Sequence, residues 1–79
     1  MKYSDYEQRL FSLLTDFPQD TDTLRKAFYA GRHEPYFART TICNALHSLA
    51  RKRRHNRDKP LLQHEPRRGQ IPAKWWIKD

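Results

Sequence analysis

The chain has 79 residues with one cysteine, and its formal net charge is +7. This length predicts a single domain over residues 1–79, and one cysteine excludes an internal disulfide bond. No apolar run approaches the roughly 20 residues that a membrane span needs, and the N-terminus lacks the apolar stretch of a signal peptide. We therefore expect a domain of the reducing cytoplasm.

The positive charge lies in the second part of the sequence. Residues 1–30 hold four Lys and Arg against five Asp and Glu, whereas residues 31–79 hold twelve against four. A surface evolved for solubility alone would mix both signs throughout. The uneven distribution favours a scaffold followed by a surface that meets a polyanion.

The first predicted helix covers about residues 4–17. Ser4 and Glu7 have the spacing of a capping box, in which each side chain accepts a hydrogen bond from the other residue's backbone. Apolar side chains then recur at helical spacing: Tyr6, Leu10, Leu13, Leu14 and Phe17. Pro18 is expected to end this helix.

The second predicted helix covers about residues 21–31. Asp20 or Thr21 can cap its start, and Gly31 offers a left-handed end. Its inner face is expected to hold Leu24, Ala27 and Phe28. In the connector that follows, Pro35 keeps the residue before it extended. We expect the next two residues, Tyr36 and Phe37, to anchor the connector to the core.

The third predicted helix, over about 39–53, has one apolar and one polar face. Its inward positions, after Phe37 as a hydrophobic lead-in, are Ile42, Ala45, Leu46 and Leu49. Its outward positions are Arg39, Thr40, Cys43, Asn44, His47 and Ser48. A basic run over residues 51–54 follows at once. A helix with one packed face and one hydrogen-bonding, cationic face suits the groove of a nucleic acid.

A β-hairpin is predicted at the C-terminal end, with strands at about 61–65 and 73–77. The turn between them is basic, and Gly69 is its expected tight point. Trp75 and Trp76 are adjacent on a strand and must point to opposite faces. One of them should lie in the core, and the other is exposed, covered by the first helix, or available for stacking or an interface.

Three helices followed by a β-hairpin form an α+β arrangement, the winged helix-turn-helix. Residues 37–49 resemble the second half of the helix-turn-helix in bacterial winged transcriptional repressors, where a small or polar residue starts the recognition helix and Leu residues close the core. Residues 61–77 resemble their wing, with Arg and Gly at the tip and aromatic residues in the returning strand. The resemblance covers about residues 21–77.

This resemblance implies sequence-specific binding of double-stranded DNA by a small transcriptional regulator of phage, plasmid or accessory type. The third helix would enter the major groove and the wing would touch the flanking minor groove. Such a regulator would be associated with the nucleoid in the cytoplasm, and it would act as a homodimer or with a protein partner.

The candidate base-contacting residues lie on the third helix: Arg39, Thr40, Cys43, Asn44 and His47. Arg39 can donate two hydrogen bonds to a guanine edge, and Asn44 can pair bidentately with adenine. The alternatives are a solvated face for Arg39 and Asn44, helix capping for Thr40 or Thr41, and simple exposure for His47.

The candidate phosphate contacts are Thr41, Arg51, Lys52, Arg53, Arg54, Arg57 and Lys59. Cations favour a helix C-terminus in any protein, but that preference accounts for only two or three of them. The candidate wing contacts are Arg67, Arg68, Gln70 and Lys74. Arg side chains suit a narrow minor groove, although an ordinary charged hairpin tip has the same composition.

The sequence favours neither an enzyme nor a metal site. Nucleophile, base and acid are not spaced as a catalytic set. Cys43 and His47 stand one helical turn apart and could share a metal, but no further pair is placed to complete four ligands. We therefore predict neither a catalytic residue nor a cofactor, and Cys43 is expected to be a half-buried thiol.

Two alternatives to duplex DNA binding stay open. In the first, the basic face is a protein-binding module for an acidic partner, such as a host polymerase subunit or nuclease. In the second, the chain binds RNA or Z-form nucleic acid, because residues 46–52 and 72–77 are similar to the Z-form-binding winged domains. Trp75 matches the wing Trp of that family, whereas His47 and Cys43 stand where that family has Tyr and Asn.

Overall fold

The computed structural model describes residues 2–78, which form three α-helices and a three-stranded antiparallel sheet. In chain order the elements are α1 (Asp5–Ser12), β1 (Gln19–Asp20), α2 (Thr21–Phe28), α3 (Ala38–Asn56), β2 (Leu61–Glu65) and β3 (Lys74–Lys78). The α+β prediction is confirmed at this level, and the arrangement is compatible with a winged helix. None of the helices in residues 2–78 combines the length and the apolar composition that a membrane span requires.

The capping box of α1 is present as predicted. Ser4 Oγ accepts a hydrogen bond from Glu7 N at 3.1 Å, and Glu7 Oε1 accepts one from Ser4 N at 3.0 Å. At α2, Asp20 rather than Thr21 is the cap, because Asp20 Oδ1 accepts from Thr23 N at 2.6 Å. These carboxylate and hydroxyl oxygens satisfy backbone N–H groups that lack partners at a helix start.

The predicted end of α1 is wrong, because the helix ends at Ser12, well before Pro18. The chain leaves the helix early so that the next residues can join the sheet, where Ile77 N donates to Thr15 O at 2.9 Å. Phe17, the last residue of the apolar pattern that predicted the longer helix, is 73% exposed. Tertiary pairing has therefore outweighed a local pattern that would have extended the helix.

The short strand β1 was not predicted from the sequence. It pairs antiparallel with β3, with Gln19 opposite Trp75 and Asp20 opposite Lys74. The strand order is β1–β3–β2, so the returning strand of the hairpin is the centre of the sheet. Two residues carry too little pattern to be recognised, and their strand conformation exists only because β3 lies beside them.

The segment between α2 and α3 also differs from the prediction. Helix α2 ends at Phe28, and Gly31, at a φ of 73°, lies in the turn beyond it. The connector residues Tyr36 and Phe37 do not pack on the core, since Tyr36 is fully exposed and Phe37 is 65% exposed. Ala27, predicted to face inward, is exposed as well.

Helix α3 is the longest element and supplies three of the buried core residues, Ile42, Leu46 and Leu49. It begins at Ala38 and ends at Asn56, one residue earlier and three residues later than predicted, and Arg57 adopts the left-handed conformation that stops it. The buried core residues are Leu10, Leu14, Leu24, Phe28, Ile42, Leu46, Leu49, Leu62 and Trp75. Trp75 is buried and Trp76 is half-buried, which confirms that the two indoles face opposite sides of the sheet.

Among residues 2–78, two charged side chains, Glu7 and Arg53, are buried with this core. Glu7 is 4% exposed, and its Oε1 accepts from Lys52 Nζ at 2.7 Å. Its other oxygen, Oε2, is buried without a hydrogen-bond partner among residues 2–78. Burial raises the pKa of Glu7, but the hydrogen bonds from Lys52 and Ser4 outweigh that effect, so the pKa lies below its ordinary value.

We expect Lys52→Ala to destabilise the fold by about 2 kcal/mol, because it leaves the Glu7 carboxylate buried without its cation. Urea denaturation at neutral pH measures this difference. Arg51→Ala is the matched control, because Arg51 precedes Lys52 in α3 and its side chain is exposed. Since folding lowers the pKa of Glu7, its contribution is present above the ordinary carboxyl pKa and is lost as the pH falls through the folded value. Equal stability of the two variants would contradict this account.

Candidate nucleic-acid interface

The face of α3 opposite the core is a continuous polar stripe. The stripe consists of Thr40, Asn44, His47, Arg51 and Arg54, all of them exposed. Successive members are three or four residues apart, which places them on one side of the helix. The first half of the stripe carries shorter hydrogen-bonding side chains and the second half carries arginines. This division matches the different needs of base edges and phosphates.

The first turn of α3 is joined to α2 by an ion pair. Arg39 Nε donates to Asp22 Oδ1 at 3.0 Å, and Arg39 Nη2 donates to Asp22 Oδ2 at 2.6 Å. The hydrogen bond from Arg39, opposed by partial burial, holds the pKa of Asp22 below its ordinary value. Local sequence patterns do not indicate this pair, because its partners are 17 residues apart and lie on different helices.

A cleft of about 410 Å³ separates the first half of α3 from the hairpin. Its walls are formed by Thr21, Asp22, Arg39, Cys43, Arg67, Gln70, Pro72 and Ala73. The cleft therefore brings together two predicted base-contacting residues, Arg39 and Cys43, and two predicted wing residues, Arg67 and Gln70. Thr21 and Asp22, which were not predicted as site residues, complete it from α2.

The tip of the β2–β3 hairpin, which the sequence predicts to be a wing, is a tight turn. Arg68 and Ile71 exchange two backbone hydrogen bonds, of 3.0 and 2.9 Å, around Gly69, whose φ is 56°. Arg67 Nε donates to Gly69 O at 3.1 Å, so this side chain folds back over the turn. Arg67, Arg68 and Gln70 are exposed, whereas the fourth predicted wing residue, Lys74, is half-buried in β3.

His47 connects α3 to the sheet through a cluster of three rings. Its ring stands edge-on to Trp75, with centroids 5.0 Å apart, and edge-on to His64 at 5.1 Å. His64 lies opposite Trp75 in the strand register and stacks on it at 4.0 Å. His47 is thus both exposed on the stripe and held by the wing. His64 was missed, although its place in the hairpin register could have paired it with Trp75.

The basic residues after position 50 do not act alike. Arg51, Arg54, Arg57 and Lys59 are exposed. Lys52 Nζ is held by Glu7 and also donates to Lys2 O at 3.0 Å.

Arg53 is the clearest correction to the predicted phosphate contacts. It is 9% exposed, its Nε donates to Pro60 O at 2.8 Å, and its guanidinium lies 4.0 Å from the centroid of the Phe11 ring. A guanidinium with these partners is part of the core. It is therefore not presented to a phosphate.

The two threonines at the start of α3 differ in their availability. The capping position of α3 is occupied by Phe37, so neither Thr40 nor Thr41 is the cap that the sequence allowed. Thr41 Oγ1 donates back to Phe37 O at 3.1 Å, whereas Thr40 is exposed on the stripe. Thr40 is thus the better placed of the two to contact a ligand.

Cys43 is half-buried, as predicted, and lies in the wall of the cleft. Within residues 2–78, no group of three or more His, Cys, Asp and Glu side chains is arranged to hold a metal ion. Cys43 and His47 therefore lack the further ligands that a structural metal site requires.

We expect acidification to destabilise the protein through His64. Burial, followed by the nearby His47, lowers the pKa of His64 below its ordinary value. A group whose pKa is lowered by folding binds its proton more readily in the unfolded chain. The free energy of unfolding should therefore be unaffected by His64 above the ordinary histidine pKa and fall as the pH drops through it.

Urea denaturation at about pH 7.5 and about pH 5.5 measures this effect. Wild type should lose more stability between the two values than His64→Gln does. His33→Gln, in the exposed turn after α2, should behave as wild type. The same loss in His64→Gln as in wild type would show that another group is responsible.

Comparison with known proteins identifies no relative of this chain. No family model, no curated protein and no solved structure matches the chain. The resemblance to winged helix domains therefore stays a prediction from the residues.

Proposed function

We propose that this chain is a winged helix protein that binds double-stranded DNA in a sequence-specific way, as a small transcriptional regulator. Helix α3 would lie in the major groove and the wing would lie on the flanking minor groove. The observation that carries the proposal is the cleft, because Arg39 and Cys43 of α3 share it with Arg67 and Gln70 of the wing. One duplex lying along this side of the molecule would meet both elements.

The polar stripe of α3 supports a division of labour between base and phosphate contacts. Thr40 and Asn44 occupy its first half, where short side chains allow the helix to approach base edges closely. Arg51 and Arg54 occupy its second half, where long cationic side chains suit the sugar–phosphate backbone. Asn44 is exposed, and its amide carries the donor and the acceptor that bidentate pairing with adenine needs.

The charge of the second part of the chain supports the same ligand. Four exposed cations, Arg51, Arg54, Arg57 and Lys59, follow one another at and beyond the end of the stripe. Each phosphate that they neutralise releases condensed counterions, so binding should weaken steeply with salt. This field would attract any polyanion, and the side chains in the cleft and in the first half of the stripe would have to supply the sequence preference.

Selection from random duplexes, followed by a salt titration of the recovered site, tests the proposal. We expect a defined recovered sequence and a linear fall of log K with log salt between about 50 and 200 mM. A recovered palindrome would also show that the protein binds as a symmetric dimer. Absence of binding to any duplex at low salt would overturn the proposal and favour an acidic protein partner.

We expect Arg51→Ala with Arg54→Ala to weaken binding to all duplexes by a similar factor. The salt slope should become shallower by about 2, since each phosphate contact contributes about 0.9. Sequence preference and urea stability should be unchanged, because both side chains are exposed.

Arg53→Ala provides the contrast in the same basic run. It removes the stack on Phe11 and the hydrogen bond to Pro60, so stability should fall by about 1–3 kcal/mol. The salt slope of the folded variant should stay that of wild type. A shallower slope for Arg53→Ala than for the double variant would contradict this assignment of the cations.

Asn44→Ala is expected to relax sequence preference at one position of the site. The loss at the preferred base should be about 1–3 kcal/mol, with little change in binding to random duplex. Ser48→Ala is a suitable control because Ser48 lies one turn beyond Asn44 but is half-buried at the edge of the polar face. Affinities for single-base variants of the selected site, measured by fluorescence anisotropy, check the prediction.

A second candidate function, binding of Z-form nucleic acid, is favoured by one observation. His47 meets Trp75 edge-on, which is the helix–wing contact that the resemblance implies for a Tyr and a Trp. Trp75 is almost fully buried, however, and offers little ring surface to a nucleotide. Circular dichroism of an alternating CG duplex separates the two candidates, since only Z-form binding would invert its spectrum.

A further inference from the structure

The Arg39–Asp22 pair uses only one edge of the guanidinium. Nε and Nη2 each donate to a different oxygen of the Asp22 carboxylate, at 3.0 and 2.6 Å. An arginine has five N–H groups in a rigid plane. Both N–H groups of Nη1 and the second N–H group of Nη2 are therefore directed away from Asp22. This remaining Nη1–Nη2 edge is one that can donate two parallel hydrogen bonds to guanine O6 and N7.

Asp22 is well placed to hold that plane still. It belongs to the first turn of α2, close to the Asp20 cap, so its backbone is fixed by the helix. Arg25 Nε lies 3.6 Å from Asp22 Oδ1 on the side of α2 itself. Arg39, by contrast, is long and 67% exposed, and without Asp22 its guanidinium would sample many rotamers.

The electrostatics of Asp22 point to orientation rather than attraction. A carboxylate in the wall of a cleft that faces DNA repels phosphates and opposes non-specific binding. An exposed ion pair of this kind also contributes little to folding stability. The bidentate geometry, the position in the cleft and the free outer edge of Arg39 are all accounted for if the pair directs Arg39 at a base.

We propose that Asp22 is a positioning residue that orients Arg39 to read a guanine at the wing-side end of α3. This inference rests on the proposed function, since it assumes that the cleft receives duplex DNA. It adds α2 to the elements that determine specificity, although α2 itself contributes no side chain to a base. Asp22 should therefore control discrimination between sequences more than total affinity.

The test uses the selected duplex with each guanine replaced in turn by 7-deazaguanine, which lacks the N7 acceptor. Wild type should lose about tenfold in affinity at the guanine read by Arg39. Asp22→Asn removes the charge and one acceptor oxygen with little change of shape. For this variant, the loss of affinity caused by 7-deazaguanine at the same position should be less than about threefold, while its affinity for random duplex stays equal or rises.

Two controls separate orientation from charge and from folding. Glu34→Gln removes a carboxylate from the neighbouring cluster, where it pairs with Arg25, and should keep the wild-type penalty. Arg39→Lys keeps the charge but lacks the planar fork, so it should behave as Asp22→Asn does. The double variant Asp22→Asn with Arg39→Ala should lose no more affinity for the selected duplex than Arg39→Ala alone.

Each outcome decides between the proposals. The inference is wrong if Asp22→Asn keeps the full loss of affinity at 7-deazaguanine, or if it tightens specific and random binding equally. Asp22 would then only join α2 to α3 or only repel phosphates. An equal loss of affinity for the selected and the random duplex, together with reduced thermal stability, would show that Asp22 has only a structural role. If wild type selects no sequence, the proposed function fails first. Asp22→Ser, which also lacks the bidentate acceptor, repeats the test if Asp22→Asn does not fold.

Discussion

The burial of Trp75 at the centre of the sheet is the constraint on which the rest of the structure depends. Trp75 is 1% exposed and lies in the central strand, opposite Gln19 of β1 and His64 of β2. A shift of β3 by one residue would expose this indole and bury Trp76 in its place. The packing of one large side chain therefore determines the register of all three strands, and with it the distance of the wing from α3.

The same side chain connects the core to the candidate interface. The rings of His64 and His47 pack against Trp75, so the wing strand and the outer face of α3 are joined through a single aromatic cluster. Aromatic contacts of this kind contribute beyond the apolar area they bury. They join the β2–β3 hairpin to α3 beside the cleft that Arg39 and Arg67 line.

The charged residues divide into those that support the fold and those that are available to a ligand. Lys52 neutralises the buried Glu7, and Arg53 packs on Phe11, so both belong to the structure. Their neighbours Arg51 and Arg54 point outward. Helical geometry makes this division unavoidable, because four consecutive residues cover all sides of a helix and one side must face the core. A basic run is therefore not a uniform surface.

Much of this protein was determined by local sequence. The capping residues Ser4 and Asp20, the apolar spacing of Ile42, Leu46 and Leu49, and the opposed indoles of the hairpin each act over a few residues. Tertiary structure decided what local patterns cannot carry: the early end of α1, the pairing of β1, and the exposure of Tyr36 and Phe37. It also decided the site, since the Arg39–Asp22 pair, the burial of Arg53 and the cleft all join distant segments. Side-chain spacing specifies a face within one element, whereas which faces meet depends on how the elements pack.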